Sequence, residues 1–213
     1  MTVACVLRLG GDFDPLWVWA LKRGLRRWMP AGYDFVCLTD APGGLGQWGR
    51  RLQYGWPKWW AKMELFRPGL FDGPVLYMDL DTLPVGDLTA IAAYPGQFAM
   101  ISDLLRTKTL QSGVLAFTPG PLTWRLWELW IANPVDHMKR YRGDGEWLAA
   151  HVPKADRLQT LYPGQIVSLK REAKKAAPPK ARLVCGHGRP RLNDPTAGWA
   201  HTAWKSLAVK EDA

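Results

Sequence analysis

Three features that define large classes of protein are scarce or absent in this sequence. Cysteine occurs only as Cys5, Cys37 and Cys185, each inside a short apolar run, which excludes a disulfide scaffold or a zinc cluster and predicts reduced core residues. No apolar run approaches the roughly 18 residues that a membrane-spanning helix needs. The start of the chain also lacks the basic-then-apolar layout of a signal peptide. We therefore expect a soluble, cytoplasmic protein with no transmembrane segment.

Acidic residues are fewer than basic ones, 19 against 28, which gives a net charge of +9. The excess is local, because residues 170–191 hold eight basic residues and one acidic residue and so carry +7 of that total. A segment of this kind binds phosphates, contacts an anionic surface or is a solvated linker, and the sequence leaves these alternatives open. We expect an exposed, basic, proline-containing excursion at about 170–181, with peripheral contact to an anionic membrane surface as one consequence.

The residues that are present suit one globular domain. Apolar residues make up 47% of the 213 positions and charged residues 22%, so wholesale disorder is excluded. The length favours a single domain over 1–213, with a C-terminal tail from about 196. The thirteen tryptophans exceed average usage, and flat aromatic rings are favoured both in cores and beneath sugar rings or bases. They are a weak indication of such a ligand.

The first sixty residues predict the beginning of a parallel α/β sheet. The apolar runs at 2–9 and 33–39 are typical of buried strands, and Asp14-Pro15 supplies a cap and a first-turn proline for a helix between them. A strand, a helix and a second strand in this order form a parallel unit. Residues 41–57 hold five glycines and two prolines, which predicts a mobile loop at the sheet edge where ligands bind in open α/β folds.

The same α/β pattern continues to the end of the chain. Further strands are expected at 74–80, 98–102, 113–117, 165–169 and 182–185. Helices are expected at 58–66, at 121–133 and from the cap residue Asp144 to residue 151. Trp124, Trp127 and Trp130 recur at helical spacing within 121–133, so we expect them in the core.

Residues 73–88 carry the most informative motif. Because side chains alternate along a strand, Asp79 and Asp81 at the end of the run 75–80 point the same way, about 7 Å apart along the backbone. Two carboxylates in a partly dry site repel each other, and a divalent cation such as Mg²⁺ or Mn²⁺ relieves that repulsion while keeping positions for phosphate and water. The alternative is that both aspartates are solvated turn residues, since Asp-x-Asp is a common tripeptide.

Residues 75–88 resemble the Asp-x-Asp strand of GT-A-fold glycosyltransferases, and most closely that of glycosyltransferase family 8. Other segments are similar to landmarks of that family in the same order: Trp60 to Lys62 ahead of the strand, Gln111-Ser112-Gly113 after it, then Asp144, then 185–191. The resemblance covers about 3–191. It implies a single GT-A-like, Rossmann-like α/β domain with a mostly parallel central sheet flanked by helices.

The resemblance also implies a function. It is transfer of a sugar, with retention, from a nucleotide-diphosphate sugar (a UDP-sugar is the expected donor) to a carbohydrate, lipid-linked or other acceptor. Mn²⁺ or Mg²⁺ is the implied cofactor, held by Asp79, Asp81 and His187. The residues implied in catalysis are Asp144 and Gln111. The residues implied in binding the nucleotide sugar are Asp40, Lys62, Asp79, Ser112, Gly113, Gly188, Arg189 and Arg191.

Three positions depart from the family pattern. Gln111 replaces the usual asparagine, and Gly145 rather than glutamine follows Asp144. Cys185 occupies the position of the family's late histidine, whereas His187 comes two residues later. Residues two apart face the same side of a strand, so His187 is a shifted candidate ligand, and a packing role for it is the alternative.

Two other functions compete with the transferase. The run Asp79-Leu80-Asp81-Thr82 also matches the signature of haloacid dehalogenase-like phosphatases, in which Asp79 would attack phosphorus and Asp81 would be the acid/base. That motif normally opens its domain, whereas about 78 residues of α/β pattern precede it here. A nucleic-acid-binding module would use the basic segment and the tryptophans, but it leaves the Asp-x-Asp strand unexplained. No stable nucleic-acid partner is expected.

Overall fold

The chain starts with the strand, helix and parallel strand that its sequence predicts. In the computed structural model, which describes residues 1–209, Asp14 caps the first helix by accepting the Leu16 backbone N–H at 2.9 Å, and Pro15 is its first residue. The described helices are α1 (Pro15–Trp28), α2 (Thr89–Ala92), α3 (Pro121–Ala132), α4 (Pro134–Arg140), α5 (Asp144–His151), α6 (Leu158–Leu161) and α7 (Trp199–Leu207). Short 3-10 segments span Pro42–Trp48, Lys58–Phe66 and Pro195–Ala197.

The strands form one large sheet and one small sheet. They are β1 (Thr2–Leu7), β2 (Asp34–Thr39), β3 (Gly49–Arg51), β4 (Val75–Met78), β5 (Thr82–Pro84), β6 (Phe98–Ser102), β7 (Leu110–Phe117), β8 (Asp156–Arg157), β9 (Ile166–Ser168) and β10 (Leu183–Cys185). The large sheet has the order β3-β2-β1-β4-β7-β6-β8 and the small sheet β5-β10-β9. In the large sheet only β7 runs antiparallel to its neighbours, β4 and β6. The predicted mostly parallel sheet flanked by helices is confirmed.

Apolar side chains pack on both faces of the large sheet. Along β1 they alternate, so Val3 and Cys5 belong to one core and Ala4 to the other. The first core holds the buried face of α1, and the second holds Trp60 and Trp130. The three cysteines are buried and free, as predicted. Among the described residues, no helix has the length and apolar character that crossing a membrane requires.

Residues 41–57 are more ordered in backbone than the expected loop. They contain the 3-10 segment Pro42–Trp48 and strand β3, which pairs with the edge of β2. The buried carboxylate of Glu64 then accepts the backbone N–H groups of Gln53 and Tyr54, each at 2.8 Å. The glycine-rich sequence did not predict this edge strand. Strand β3 is only three residues long and depends on β2 for its hydrogen bonds, so it has no sequence pattern of its own.

The C-terminal part of the chain packs against the domain. Residues 170–181 join β9 to β10 without a helix or strand, and Ala173 within them is buried. The Trp199 indole donates to the Ala173 carbonyl at 2.8 Å, and Trp204 of α7 contacts Trp17 of α1 with ring centroids 4.8 Å apart. The segment expected as a tail from 196 therefore includes a docked helix, while positions 210–213 lie outside the described residues.

Candidate active site

The Asp-x-Asp pair lies at the carboxyl end of β4, in the wall of a cleft. The backbone N–H of Asp79 still bonds to Gly113 of the neighbouring β7, and the Thr82 N–H closes a turn onto the Asp79 carbonyl. Both aspartates line a cavity of about 520 Å³. The segment before β4 supplies one part of its lining, and the segment after β10 supplies another. The strand therefore delivers both carboxylates to the place where the sheet edge opens.

Lys62 lies behind Asp79 and is held by three polar side chains. Its Nζ is 3.2 Å from Asp79 Oδ1, 2.9 Å from Asp144 Oδ2 and 3.1 Å from Ser112 Oγ. The Ser112 hydroxyl donates in turn to Asp144 Oδ2 at 2.6 Å, and Tyr77 donates its hydroxyl to Asp79. Burial opposes the charge on Lys62, but Asp144 and Asp79 outweigh it and raise its pKa. Lys62 is thus a fixed positive charge beneath the cleft.

Asp81 has a different cationic partner. Its Oδ2 is 3.2 Å from Nη1 of Arg191, and the same guanidinium is 2.8 Å from Asp12 Oδ2. Burial, and then the negative charge of Asp79, raise the pKa of Asp81 to about 7. The exposed Asp12 shows the opposite shift, since its hydrogen bond to Arg191 lowers its pKa. The two aspartates therefore interact with each other and are each partly neutralised, Asp79 by Lys62 and Asp81 by Arg191.

Gly186 allows the segment after β10 to approach Asp81 closely. Its N–H donates to the Asp81 carbonyl at 2.7 Å. A Cβ atom at this position would lie 2.9 Å from that same carbonyl oxygen, closer than real contacts allow. A residue without a side chain is therefore required here, and it brings His187, Gly188 and Arg191 to the cleft.

Solved structures share this arrangement of elements. The chain superimposes on the glycosyltransferase GlyE of Streptococcus pneumoniae TIGR4 with a TM-score of 0.72 and 12% identity, over 99% of this chain and 61% of GlyE. For the galactosyltransferase LgtC, solved with donor and acceptor sugar analogs, the TM-score is 0.67 and the identity 15%, over 100% of this chain and 98% of LgtC. The fold is that of the GT-A glycosyltransferases. The bifunctional glycosyltransferase WbbM also matches, with a TM-score of 0.66 and 12% identity, over 98% of this chain and 49% of that chain.

The GT-A fold was predicted from residues 75–88 and is confirmed. At identities of 12% to 15% the likeness establishes the fold alone. The chain spans only 61% of the length of GlyE but nearly all of LgtC. No protein-family model matches the sequence, and no curated protein does so significantly.

Within this GT-A fold, His187 lines the cleft but does not join the aspartates. Its Nε2 is 2.8 Å from the hydroxyl of Ser168 on β9, and burial followed by the charge of Lys170 lowers its pKa. In residues 1–209, no group of three or more His, Cys, Asp or Glu side chains has the arrangement of a metal site. Asp79 and Asp81 are hard oxygen donors that fit Mg²⁺ or Mn²⁺, and burial together with the charge of Asp79 raises the pKa of Asp81. As a third protein ligand, His187 would use its other ring nitrogen, Nδ1, or give up Ser168.

The other predicted site residues divide into those that line the cleft and those that support it. Gln111 lines the cleft, although its side-chain carbonyl accepts the Gly113 N–H at 2.7 Å. Asp144 is the first residue of α5 rather than its cap, and it is buried against Lys62. The predicted residues that line the cleft are Lys62, Asp79, Asp81, Gln111, His187, Gly188 and Arg191. Those outside its lining are Asp40, Ser112, Gly113, Asp144 and Arg189.

Two of the residues outside the lining form surface ion pairs. Asp40, at the end of β2, accepts Nη1 of Arg8 at 2.7 Å and the Leu9 N–H at 3.1 Å, so it joins the ends of β1 and β2. Arg189 is largely exposed and lies 3.5 Å from Asp12. Asp40 thus acts on the cleft through Arg8, which does line it.

Sequence reasoning missed several residues of the cleft. Arg8, Asp12 and Phe13 follow β1 and reach the site because β1 lies beside β4 in the sheet. Their only signal in the sequence was their position after the first strand, at the edge where ligands bind. A second, shallower cavity of about 700 Å³ lies around the amino ends of β1 and β2, at Thr2 and Asp34, away from the Asp-x-Asp pair.

Proposed function

We propose that the chain is a glycosyltransferase that moves a sugar from a nucleotide-diphosphate sugar to an acceptor. The observation that carries this proposal is the placement of Asp79 and Asp81 in a cleft of a GT-A fold, between the charges of Lys62 and Arg191. An acidic pair beside fixed cations suits a ligand that brings both a cation and a diphosphate.

Asp79 and Asp81 are the residues that would hold Mn²⁺ or Mg²⁺. When bound, the ion would supply charge neutralisation for the departing diphosphate. Phosphate oxygens and water would complete its coordination, with His187 as a further ligand if it exchanges Ser168 for the ion. The raised pKa of Asp81 supports this role, because burial and the charge of Asp79 both disfavour its carboxylate, and a bound cation would offset both effects.

Arg191 and the segment around Gly188 are proposed to bind the diphosphate. Arg191 lines the cleft, and its side chain is 19% exposed, so it is accessible on one side while Asp81 and Asp12 orient it. Guanidinium groups bind phosphate oxygens bidentately, which favours Arg191 over a point charge. Arg189 lies at the exposed margin, where we propose that it supplies attraction at longer range.

Lys62 and Gln111 are proposed to face the transferred sugar. Gln111 lines the cleft beside Asp79, and its amide NH₂ is free to donate because its carbonyl oxygen is held by Gly113. Asp144 is buried and bonds to Lys62 and Ser112, so its part in catalysis is to hold the Lys62 charge in place. With retention, the leaving diphosphate can itself accept the acceptor's proton, and no protein base is assigned.

LgtC has been solved with donor and acceptor sugar analogs, which supports a nucleotide sugar and a carbohydrate as the two substrates here. A panel of nucleotide sugars with Mn²⁺ tests the proposal without an acceptor, since donor hydrolysis needs only water. We expect one donor to raise the melting temperature in a metal-dependent way and to be hydrolysed slowly. Failure of every donor to bind or react would contradict the proposal.

The same assay separates a transferase from a phosphatase. Thr82 is buried in β5 and does not line the cleft, so it is poorly placed to hold a phosphoryl group there. Thr82→Val should therefore leave donor hydrolysis within about tenfold of the parent, a barrier change of about 1.4 kcal/mol. Hydrolysis of a simple phosphate monoester with Mg²⁺, together with an aspartyl phosphate on Asp79, would favour the phosphatase.

A further inference from the structure

Trp59 is an exposed tryptophan in the wall of the cleft, and nothing in the proposed chemistry uses it. All thirteen tryptophans lie within residues 1–209, and of these only Trp59 and Trp124 are exposed, each with 46% of its surface accessible to solvent. Trp124 lies on α3, outside the cleft lining, whereas Trp59 lines the cleft together with Lys62 and Asp79. Leaving a large aromatic side chain in water forgoes the free energy of burying it, which favours a ligand for Trp59.

The structure holds the Trp59 ring in place and leaves 46% of the residue exposed. The next residue, Trp60, is buried and stacks on Trp130 with centroids 5.1 Å apart, which anchors the segment to the core. A Cβ atom at Gly143 would lie 3.1 Å from Trp59 Nε1 and 3.4 Å from Cδ1, so the edge of the indole lies against backbone that has no side chain. Within residues 1–209, no other aromatic ring pairs with Trp59.

The backbone conformation and the charge of Lys58 also favour a ligand at Trp59. Lys58 has a positive φ of 54°, a left-handed conformation that costs a non-glycine residue free energy and that recurs at ligand sites. Its ammonium group lies over one face of the Trp59 ring, 5.6 Å from the centroid, and Lys58 lines the same cleft, so the platform is the opposite face. A flat ring with hydrogen-bond donors beside it matches a pyranose, whose C–H face is apolar and whose rim carries hydroxyl groups.

The two sides of the cleft assign Trp59 to the acceptor. Lys62, from the same 3-10 segment as Trp59, contacts Asp79, whereas Arg191, from the segment after β10, contacts Asp81. The diphosphate is proposed to bind on the Arg191 side. The sugar being transferred then lies towards Lys62 and Gln111. Trp59, three residues before Lys62 in the same 3-10 segment, is on that side of the cleft and not on the Arg191 side.

We propose that Trp59 is the platform on which a pyranose ring of the acceptor stacks, with Lys58 donating to its hydroxyl groups. This inference rests on the proposed glycosyltransferase function and adds the class of acceptor: a sugar that offers an apolar ring face. Trp59 binds and orients the acceptor, and no bond is made or broken on it.

Fluorine NMR of the full chain labelled with 5-fluorotryptophan tests the platform directly. The Trp59 resonance is assigned by its absence in Trp59→Phe, and the Trp124 resonance by its absence in Trp124→Phe. The probes are lactose and the methyl glycosides of glucose, galactose and N-acetylglucosamine, with UDP and Mn²⁺ present, at up to about 100 mM so that a millimolar site is filled. We expect a saturable shift of the Trp59 resonance and none of the Trp124 resonance.

Two results of that titration would overturn the platform. A Trp59 resonance that moves with UDP and Mn²⁺ alone, and no further with any sugar, would assign the ring to the nucleotide. A Trp59 resonance that no sugar moves would contradict the proposal outright. Neither result touches the glycosyltransferase function, which fails only if the unmodified chain neither binds nor hydrolyses any donor.

Kinetics provide a second measurement once a sugar from this set accepts transfer. Trp59→Ala should raise the KM for that acceptor about tenfold more than it lowers donor hydrolysis, a difference of about 1.4 kcal/mol, because the ring on which the acceptor stacks is lost. Trp59→Phe keeps a flat ring and should recover most of the loss. Trp124→Ala, which removes an equally exposed tryptophan, should match the parent. Equal losses in transfer and donor hydrolysis for Trp59→Ala would refute an acceptor platform.

Discussion

At the scale of single residues, Lys62 decides whether the carboxylates around the cleft can stay charged. It lies within 3.2 Å of both Asp79 and Asp144, and its side chain is only 9% exposed. Without Lys62 the buried Asp144 carboxylate cannot find equivalent solvation, whereas Asp79, with 32% of its side chain exposed, keeps some contact with water. The lysine is therefore a structural requirement of the site as well as a part of it.

We expect Lys62→Met to lower the free energy of unfolding by about 3–5 kcal/mol, because it leaves the buried Asp144 carboxylate without its cationic partner. Urea unfolding measures this. The matched control is Lys139→Met, which breaks an exposed pair with Asp136 at 3.7 Å and should cost less than about 1 kcal/mol. Adding Asp144→Asn to Lys62→Met should restore part of the stability, and no restoration would show that the two residues are not coupled.

Asp81→Asn tests the second carboxylate, and its effect on the protein without metal depends on pH. Because the folded pKa of Asp81 is raised to about 7, its carboxylate destabilises the fold above that pH, and this penalty disappears as pH falls towards the unfolded value of about 4. In EDTA, Asp81→Asn should therefore raise the melting temperature near pH 8 and leave it unchanged near pH 4. The exposed Asp72→Asn is the control, and Asp81→Asn should also abolish metal-dependent nucleotide binding. A variant that binds nucleotide and Mn²⁺ normally would remove Asp81 from the metal site.

At the scale of elements, helix α3 carries three tryptophans in three different environments. Trp130 is buried and packs on Trp60 and Trp147, Trp127 is half-buried, and Trp124 is exposed. The helical spacing predicted a core for all three, and this holds fully only for Trp130. The reason is that α3 packs chiefly against the 3-10 segment Lys58–Phe66 through the face that carries Leu126 and Trp130, and Trp124 lies off that face.

We expect Trp130→Ala to cost about 3–5 kcal/mol of stability, because it leaves a large cavity among aromatic rings that cannot collapse. Trp124→Ala, six residues earlier on the same helix, should stay within about 0.5 kcal/mol. Chemical denaturation of both variants measures the difference. Similar losses for the two would mean that Trp124 packs against something in solution.

At the scale of the whole molecule, helix α7 closes the domain against the first helix. Trp204 of α7 packs against Trp17 of α1, and the Trp199 indole donates a hydrogen bond to Ala173 in the segment 170–181. A chain ending at residue 194 should therefore melt at a lower temperature and bind a dye for exposed apolar surface, because Trp17 loses its cover. Lys205→Ala, on the exposed face of α7, is the control and should melt like the parent. An unchanged melting temperature for the shortened chain would restore the idea of a dispensable tail.

Local sequence determined the helices and strands whose caps and apolar patterns lie within the element itself. The cap at Asp14, the proline after it and the apolar runs at β1, β2 and β4 placed a strand, helix and strand unit and then the two aspartates, which follow the end of β4 at Met78 in a turn and not in the strand itself. The alternation of side chains along a strand can be recognised without knowing the neighbouring strands. Asp79 and Asp81 were therefore predicted to form one site from the sequence alone. The short apolar runs around the three cysteines also predicted their place in the core.

Only the tertiary structure decided which residues surround that pair. Asp12 and Arg191 are 179 positions apart in sequence and form a 2.8 Å ion pair, and Lys62 lies between Asp79 and Asp144 because α5 packs beside β7 and the 3-10 segment before β4. Strand β3 and helix α7 are stabilised mainly by β2 and α1, so their short or mixed patterns carried little signal. Contacts between distant segments depend on the order of strands in the sheet, and a single sequence contains no local record of that order.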